Sequence, residues 1–258
     1  MPMNTLDKRV LAAFLTVAFL GAGALGAAQG LTPLSPDLLT LNQFGPALGV
    51  GLVALLWPAR VRVLLTGAPS GCGEGAGRGA LLLATAPLIV VSAAGACAAF
   101  GGDADAALPH LPLALFVAAQ FLGSCGEEIG WRCLMQPLLG EWFGTLAAAV
   151  LVGLVWGMWH VQIFAEHPAY AAAFMVMAVS LSVAMAVALD GMGASKLLFA
   201  GSFHALVNLG MAVTMNEEAG EVLPMAVLAA AALLAASAWV LGRRGARTAG
   251  TVAAADAR

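Results

Sequence analysis

Charged side chains are scarce in this sequence. Only 10% of its 258 residues are Asp, Glu, Lys or Arg, against about a quarter in a typical soluble domain. Hydrophobic residues make up 61% of the chain, and the mean hydropathy is +0.93. This composition excludes a water-soluble globular protein. It predicts an integral membrane protein whose first partner is the lipid bilayer.

The absence of a basic stripe and of paired cysteines limits the possible functions further. The net charge is only -3 and no stretch forms a basic stripe, so the chain lacks the positive surface with which proteins bind nucleic acid. Its few cysteines form no Cys-x-x-Cys pair, and three of the four fall in or beside apolar runs. We therefore interpret them as small buried apolar side chains: Cys72, Cys97, Cys125 and Cys133.

Long apolar runs account for most of the sequence. A helix needs about 20 apolar residues to cross a bilayer, and eight runs approach or exceed that length: residues 10–29, 43–58, 80–100, 110–136, 145–164, 170–189, 196–215 and 222–241. The second run is short and rich in Gly and Pro, which predicts a kinked or partly interfacial helix. The expected fold is an all-α polytopic bundle of about eight transmembrane helices, forming one domain over residues 1–242.

The distribution of basic residues predicts the orientation of this bundle. Basic residues favour the cytoplasmic side of a membrane, and here they occupy alternate connections and both ends of the chain: Lys8, Arg9, Arg60, Arg62, Arg78, Lys196, Arg243, Arg244, Arg247 and Arg258. The intervening connections carry acids instead: Asp37, Asp103, Asp105, Glu166, Glu217, Glu218 and Glu221. Both termini are therefore predicted to be cytoplasmic, with residues 243–258 as a disordered cytoplasmic tail.

Short connections, together with the absence of a glycosylation sequon or a retention signal, favour a prokaryotic plasma membrane. The sequence contains no internal repeat. Its pattern gives no indication of oligomeric state.

Glu127, Glu128 and Arg132 lie within the fourth apolar run. Moving an ionised side chain into the hydrocarbon core costs several kcal/mol of free energy, so such residues usually face a protein cavity and serve a function. Adjacent helical residues point about 100° apart, so the two carboxylates have different roles. Because Arg132 follows Glu128 by four residues, we interpret these two as a supporting ion pair and Glu127 as the reactive carboxylate. A buried ion network without chemistry is the alternative.

Two of the four histidines are embedded in apolar runs, whereas His110 and His167 fall at run ends. His160 closes the fifth run, on a helix side where Gly153 and Gly157 predict close approach of another helix. In the seventh run His204 and Asn208 are four residues apart, so they project together.

Depth along the helices is compatible with one shared site. Counted from inner connections at residues 140–144 and 191–195, the rise of a helix places Glu127, His160 and His204 at depths of about 20, 24 and 14 Å. Such a group of side chains could hydrolyse an amide. A carboxylate can take a proton from water, and His and Asn can donate hydrogen bonds to the oxyanion, while imidazoles can alternatively bind a metal.

Three elements in this order, Glu-Glu-x-x-x-Arg, aromatic-x-x-x-His and His-x-x-x-Asn, resemble the signature of the CPBP intramembrane proteases. That family includes the CAAX prenyl endopeptidases and the bacterial Abi-type proteins. The resemblance covers about residues 110–215 and consists of Glu127, Glu128, Arg132, Trp156, His160, His204 and Asn208. One departure is Trp156 where Phe is commoner, an exchange of one aromatic residue for another that puts little of the resemblance in doubt.

The resemblance implies proteolysis of a peptide or protein substrate in a membrane cavity. It implies Glu127 as the base that activates water, His160 as an assistant, and His204 and Asn208 as stabilisers of the oxyanion. In the metalloprotease description of the family, His160 and His204 would bind zinc.

The residues alone leave alternatives open. Two His and one Glu match the ligand set of several catalytic zinc sites, yet no His-Glu-x-x-His helix is present, so chemistry with and without a metal both fit. A non-catalytic immunity or regulatory protein on the same scaffold is an alternative function. An ion-coupled transporter is disfavoured, because the charges cluster in one span and the sequence has no repeated halves.

Overall fold

The computed structural model describes residues 3–67, 74–102, 112–193, 195–216 and 220–256, with the backbone alone at residues 74 and 245–256. Within these ranges the chain is helical and contains no strand. The α-helices are α1 (Thr5–Gln29), α2 (Gly45–Leu56), α3 (Pro58–Thr66), α4 (Glu74–Ala99), α5 (Leu113–Gly130), α6 (Gln136–Trp159), α7 (Pro168–Ala188), α8 (Lys196–Thr214) and α9 (Val222–Asp256). Short 3-10 segments at Leu41–Phe44 and Val161–Ala165 and a π-helical turn at Trp131–Met135 complete the described chain.

Six helical stretches among the described residues are long and apolar enough to cross a membrane, which confirms the all-α polytopic bundle. One of them, residues 113–159, contains α5, the π-helical turn and α6. It bends at Gly144, whose φ of 75° and ψ of 166° interrupt the helix. Glycine adopts positive φ without steric cost. The bend therefore separates the two spans predicted at residues 110–136 and 145–164.

The second predicted span corresponds to a short helix. Helix α2 has 12 residues and a length of about 18 Å, too short for a hydrocarbon core of about 30 Å. It ends at Trp57, which precedes Pro58, and the residue before a proline disfavours helical geometry. Residues 43–58 therefore do not form a full span, in keeping with the prediction of a kinked or partly interfacial helix.

Ion pairs join the helix termini at one end of the bundle. Arg60 bridges the start of α1 and the bend between α5 and α6, with its Nε 2.8 Å from Asp7 Oδ1 and its Nη2 2.6 Å from Glu141 Oε2. The hydrogen bonds that Arg60 donates to the Glu141 carboxylate raise the pKa of the guanidinium. On the same side, Asp190 accepts a hydrogen bond of 3.4 Å from Thr145 beside the bend and pairs with Arg243. Its carbonyl oxygen accepts a hydrogen bond of 2.8 Å from Arg78 Nη2. We call this side, which gathers Arg60, Arg78 and Arg243, the basic end.

The connections 30–44 and 160–167 and the described residues 215–216 and 220–221 lie at the opposite side, which we call the acidic end. Gly220 packs directly against the carboxylate of Glu166, so the last two connections are in contact. The first connection folds back onto the end of α1, because the Gln29 side chain donates to the carbonyl oxygens of Leu34 and Leu39 and accepts from the Leu41 amide. This fold brings the segment Leu41–Phe44 against α5.

Glycines allow two close helix approaches around the middle of the bundle. On α5, Gly123 and Gly126 make room for Gln43 and Phe44, since a Cβ at either position would overlap those residues. On α6, a Cβ at Gly153 would lie 2.6 Å from the Cα of Val179 on α7. The close helix approach predicted at Gly153 and Gly157 is confirmed, with α7 as the neighbour.

Helix α9 continues through Asp256, which differs from the disordered tail predicted for residues 243–258. Ala and Arg, frequent in this segment, favour helix formation. The predictions made for Cys72, Asp103, Asp105, His110, Glu217 and Glu218 lie outside the described residues.

Candidate active site

A cavity of about 740 Å³ extends from the acidic end into the bundle. The connections at its outer part contribute Asp37, Gln162, Glu166, Met215 and Asn216. Four predicted site residues line its interior: Glu127, His160, His204 and Asn208. The structure thus brings together side chains from α5, α6 and α8 that are up to 81 residues apart in the chain, while their catalytic roles stay predictions.

Glu127 lies on the inward face of α5 and is 1% exposed. Its Oε2 accepts a hydrogen bond of 2.8 Å from Trp156 Nε1, and its Oε1 accepts a longer one of 3.4 Å from Gln43 Nε2. A carboxylate oxygen has more than one lone pair, so these two donors orient the group without using its full accepting capacity. Glu127 can therefore accept a further hydrogen bond from a water in the cavity.

His160 lies where α6 ends and the 3-10 segment begins. Its Nδ1 is 2.9 Å from the carbonyl oxygen of Trp156, which satisfies an acceptor left over at the helix end. Because a carbonyl oxygen only accepts, Nδ1 carries the hydrogen and donates. The rings of Trp159 and Phe174, each with its centroid 5.0 Å away, hold the imidazole in place. In the neutral ring, Nε2 is the basic nitrogen.

Glu128 is fully buried and faces away from Glu127, as the helical geometry predicts. Arg132 Nε lies 2.9 Å from its Oε2, an ion pair whose angle is not that of a linear hydrogen bond. The predicted pair of Glu128 and Arg132 is therefore confirmed. The other oxygen of Glu128 lies 3.0 Å from His204 Nδ1, a contact that the sequence pattern did not indicate. Through it the supporting pair fixes the orientation of a cavity-lining histidine.

Arg132 lies in the π-helical turn and is 1% exposed. Its Nη1 donates to Ser182 Oγ over 2.8 Å, and that hydroxyl donates to the carbonyl oxygen of Ala149 over 2.6 Å. The guanidinium carbon also lies 5.1 Å from the centre of the Trp156 ring. Arg132 thereby connects α5 with both α6 and α7 behind the cavity.

Trp156 contacts three of the ionisable side chains that line the cavity. Besides its hydrogen bond to Glu127, its ring centre lies 5.1 Å from that of His204 and 5.9 Å from that of His160. Trp at this position, where Phe is commoner in the motif, supplies an N–H that phenylalanine lacks, and this N–H donates to Glu127.

The sequence reasoning missed Gln43. Its side chain fills the space left by Gly123 and reaches Glu127 from a segment 84 residues earlier in the chain. The only available indication was a polar residue at the start of an apolar run beside Gly45 and Pro46. A second carboxamide contact joins Asn208 Nδ2 to Gln120 Oε1 over 3.5 Å. This contact keeps the predicted oxyanion donor Asn208 beside α5.

The residues present do not form a complete zinc site. No group of three or more His, Cys, Asp or Glu side chains within the described ranges is close enough to bind a metal ion. His160 and His204 each have Nδ1 engaged, which is how protein partners orient metal-binding histidines. Two nitrogens fall short of the three protein ligands of a catalytic zinc site. Zinc binding stays a prediction that this donor set does not support.

The model of the Rce1-like family, described as type II CAAX prenyl endopeptidase Rce1-like, matches residues 109–210. All seven residues of the three motifs fall within this match. The finding confirms the predicted resemblance to the CPBP and CAAX proteases over the part of the chain that contains α5 to α8. No curated protein matches the chain.

Proposed function

We propose that this protein is an intramembrane endopeptidase that hydrolyses a peptide bond with a water activated by Glu127. The observation that carries the proposal is the position of the Glu127 carboxylate, buried and held by Trp156 in a cavity that His160, His204 and Asn208 also line. The match to a family of prenyl endopeptidases supports a protease over a transporter or a purely structural helix bundle.

Glu127 acts as general base. Its Oε1, with the longer contact to Gln43, takes a proton from a water molecule while the water oxygen attacks the carbonyl carbon of the scissile bond. The proton then passes to the amide nitrogen as the C–N bond breaks, so that the products are a carboxylic acid and an amine. His160, whose Nε2 faces no protein partner among the described residues, assists by orienting the same water.

Asn208 and His204 stabilise the oxyanion of the tetrahedral intermediate. Asn208 Nδ2 is one donor, and His204 becomes another when its ring is protonated at Nε2. Glu128 and Arg132 contribute through orientation, because Glu128 fixes the ring of His204. No step in this mechanism requires a metal. The substrate is a peptide or protein segment at the bilayer of a prokaryotic plasma membrane.

The proposal is tested with purified full-length protein in detergent and a mixture of synthetic peptides, with products identified by mass spectrometry. Glu127→Gln should lower the cleavage rate about 10²–10⁴-fold, the usual contribution of a general base. Glu141→Gln is the matched control, since it makes the same change in a half-exposed carboxylate at the basic end. It should retain wild-type activity.

Wild-type cleavage rates in Glu127→Gln would refute the mechanism. If the wild-type protein cleaves no peptide and Glu127→Gln keeps its effect on the producing cell, the protein is a non-catalytic immunity or regulatory factor.

A further inference from the structure

The cavity reaches the connections of the acidic end, and we call this part of it the mouth. Its outer wall comes from the connections between α1 and α2, α6 and α7, and α8 and α9, represented by Asp37, Glu166 and Asn216. These connections meet at the acidic end, where Gly220 packs against Glu166. A substrate that reaches Glu127 through this mouth must therefore approach from the acidic end.

No Lys or Arg occurs among the described residues of the connections at that end. Apart from the buried Arg132, the described basic residues of α1, α3, α4, α8 and α9 lie near the helix termini of the basic end or, on α9, beyond them. The contacts of Arg60, Arg78 and Arg243 place three of those segments together. Because Lys and Arg accumulate on the cytoplasmic side of membrane proteins, the basic end is cytoplasmic. The mouth then faces the opposite compartment.

The mouth is also negatively charged. Asp37 and Glu166 line the cavity, and no Lys or Arg lines it among the described residues. The described residues of the connections at this end include three acids, Asp37, Glu166 and Glu221. A cleft lined by charge of one sign raises the local concentration of ligands of the opposite sign. Peptides with basic residues are favoured here, and acidic peptides are repelled.

We infer that the cavity admits its substrate from the extracytoplasmic side and prefers peptide segments rich in Lys or Arg that are exposed there. This inference rests on the proposed protease function and adds the compartment and the charge of the substrate. Under it, segments of cytoplasmic proteins do not reach Glu127.

The side of the mouth is tested by cysteine labelling of the full-length protein in the plasma membrane of intact bacterial cells. Gln162→Cys reports on the cavity mouth, and Thr66→Cys, exposed at the end of α3, reports on the basic end. Both are made in a Cys72→Ser background, which by itself measures labelling of the remaining cysteines. A membrane-impermeant maleimide should label Gln162→Cys in intact cells and Thr66→Cys only after permeabilisation. The reverse pattern would overturn the inference.

The charge preference is tested with two quenched fluorogenic peptides that share one cleavable sequence and differ in flanking Lys-Lys or Glu-Glu pairs. Right-side-out membrane vesicles should cleave the lysine peptide with a higher kcat/KM than the glutamate peptide. In the double variant Asp37→Asn/Glu166→Gln, the ratio of kcat/KM for the lysine peptide to kcat/KM for the glutamate peptide should fall. Cleavage by inverted vesicles alone, or a preference for the glutamate peptide, would refute the inference while leaving the protease function intact. Absence of cleavage even in detergent would count against the protease function, and the labelling result would still decide the side of the mouth.

Discussion

Trp156 Nε1 donates a hydrogen bond to Glu127 Oε2 over 2.8 Å, from one transmembrane helix to the next. Hydrogen bonds to a charged acceptor are shorter and stronger than neutral ones, and both partners here are almost completely buried. The same ring packs against Arg132 on its face and His204 at its edge. The indole therefore sets the direction in which the carboxylate of Glu127 points.

Trp156→Phe should lower kcat about 10- to 100-fold, because a hydrogen bond to a charged group contributes about 1.5–3 kcal/mol and each 1.36 kcal/mol is tenfold in rate. The phenyl ring keeps the packing against Arg132 and His204, so KM should change little, while the lost hydrogen bond should lower the thermal unfolding temperature. Steady-state kinetics and unfolding in detergent measure both. A wild-type kcat in this variant would show that the indole N–H has no role in positioning the base.

Gly123→Ala tests the contribution of Gln43. The added methyl group occupies the space of the Gln43 side chain, so it should displace Gln43 from Glu127, lower kcat and reduce stability by about 1–3 kcal/mol. Gln43→Leu should lower kcat to the same degree without the loss of stability. Gly140→Ala is the control, because nothing lies within 4 Å of its added methyl. If Gln43→Leu retains full activity, the contact of 3.4 Å with Glu127 is incidental.

Arg132→Met should destabilise the protein by about 3–5 kcal/mol, because it breaks a buried ion pair and leaves the Glu128 carboxylate with the His204 contact alone. The double variant Glu128→Gln/Arg132→Met should recover part of that loss, since neither charge remains. Arg243→Gln removes a partly exposed ion pair with Asp190 and should cost at most about 1 kcal/mol. Tryptophan fluorescence during denaturation measures all three. Equal stability of Arg132→Met and Arg243→Gln would contradict the structural role of the buried pair.

Removal of metal ions should leave peptide cleavage unchanged. The reason is the donor set, in which His160 and His204 lack a third protein ligand of the His, Cys, Asp or Glu type among the described residues. Activity is compared before and after dialysis against a zinc chelator, with a known zinc protease treated in parallel. A loss of activity that added zinc restores would establish a metal-dependent mechanism and overturn this expectation.

Much of the bundle and of the cavity lining could be predicted from the sequence. Hydrocarbon imposes a minimum length on a crossing helix, so the apolar runs indicate the spans directly. Charge within such a run is costly, which is why Glu127 and the embedded histidines were found. Helical periodicity also predicted the pairing of Glu128 with Arg132, since both partners lie on one helix.

Contacts between distant segments could not be predicted in this way. Gln43 reaches Glu127 only because the connection 30–44 folds back into the bundle, and the contact of His204 with Glu128 depends on how α5 and α8 pack. The bond from Trp156 depends on the rotation of α6 about its axis. None of these relationships follows from spacing within one segment. The departure of α2 from a complete span, by contrast, was indicated by the shortness of run 43–58 and by its Gly and Pro residues.

The shortness of α2 has a consequence for the surrounding lipid. Its exposed side chains Leu48, Leu55 and Leu56 contact lipid acyl chains over a helix length of about 18 Å. This length is about 12 Å less than the thickness of an average hydrocarbon core. Lipids beside α2 must tilt or compress, so the protein fits best in membranes with short or disordered acyl chains. A bilayer thickened by sterols increases this mismatch, so deforming the lipid beside α2 costs more elastic energy there.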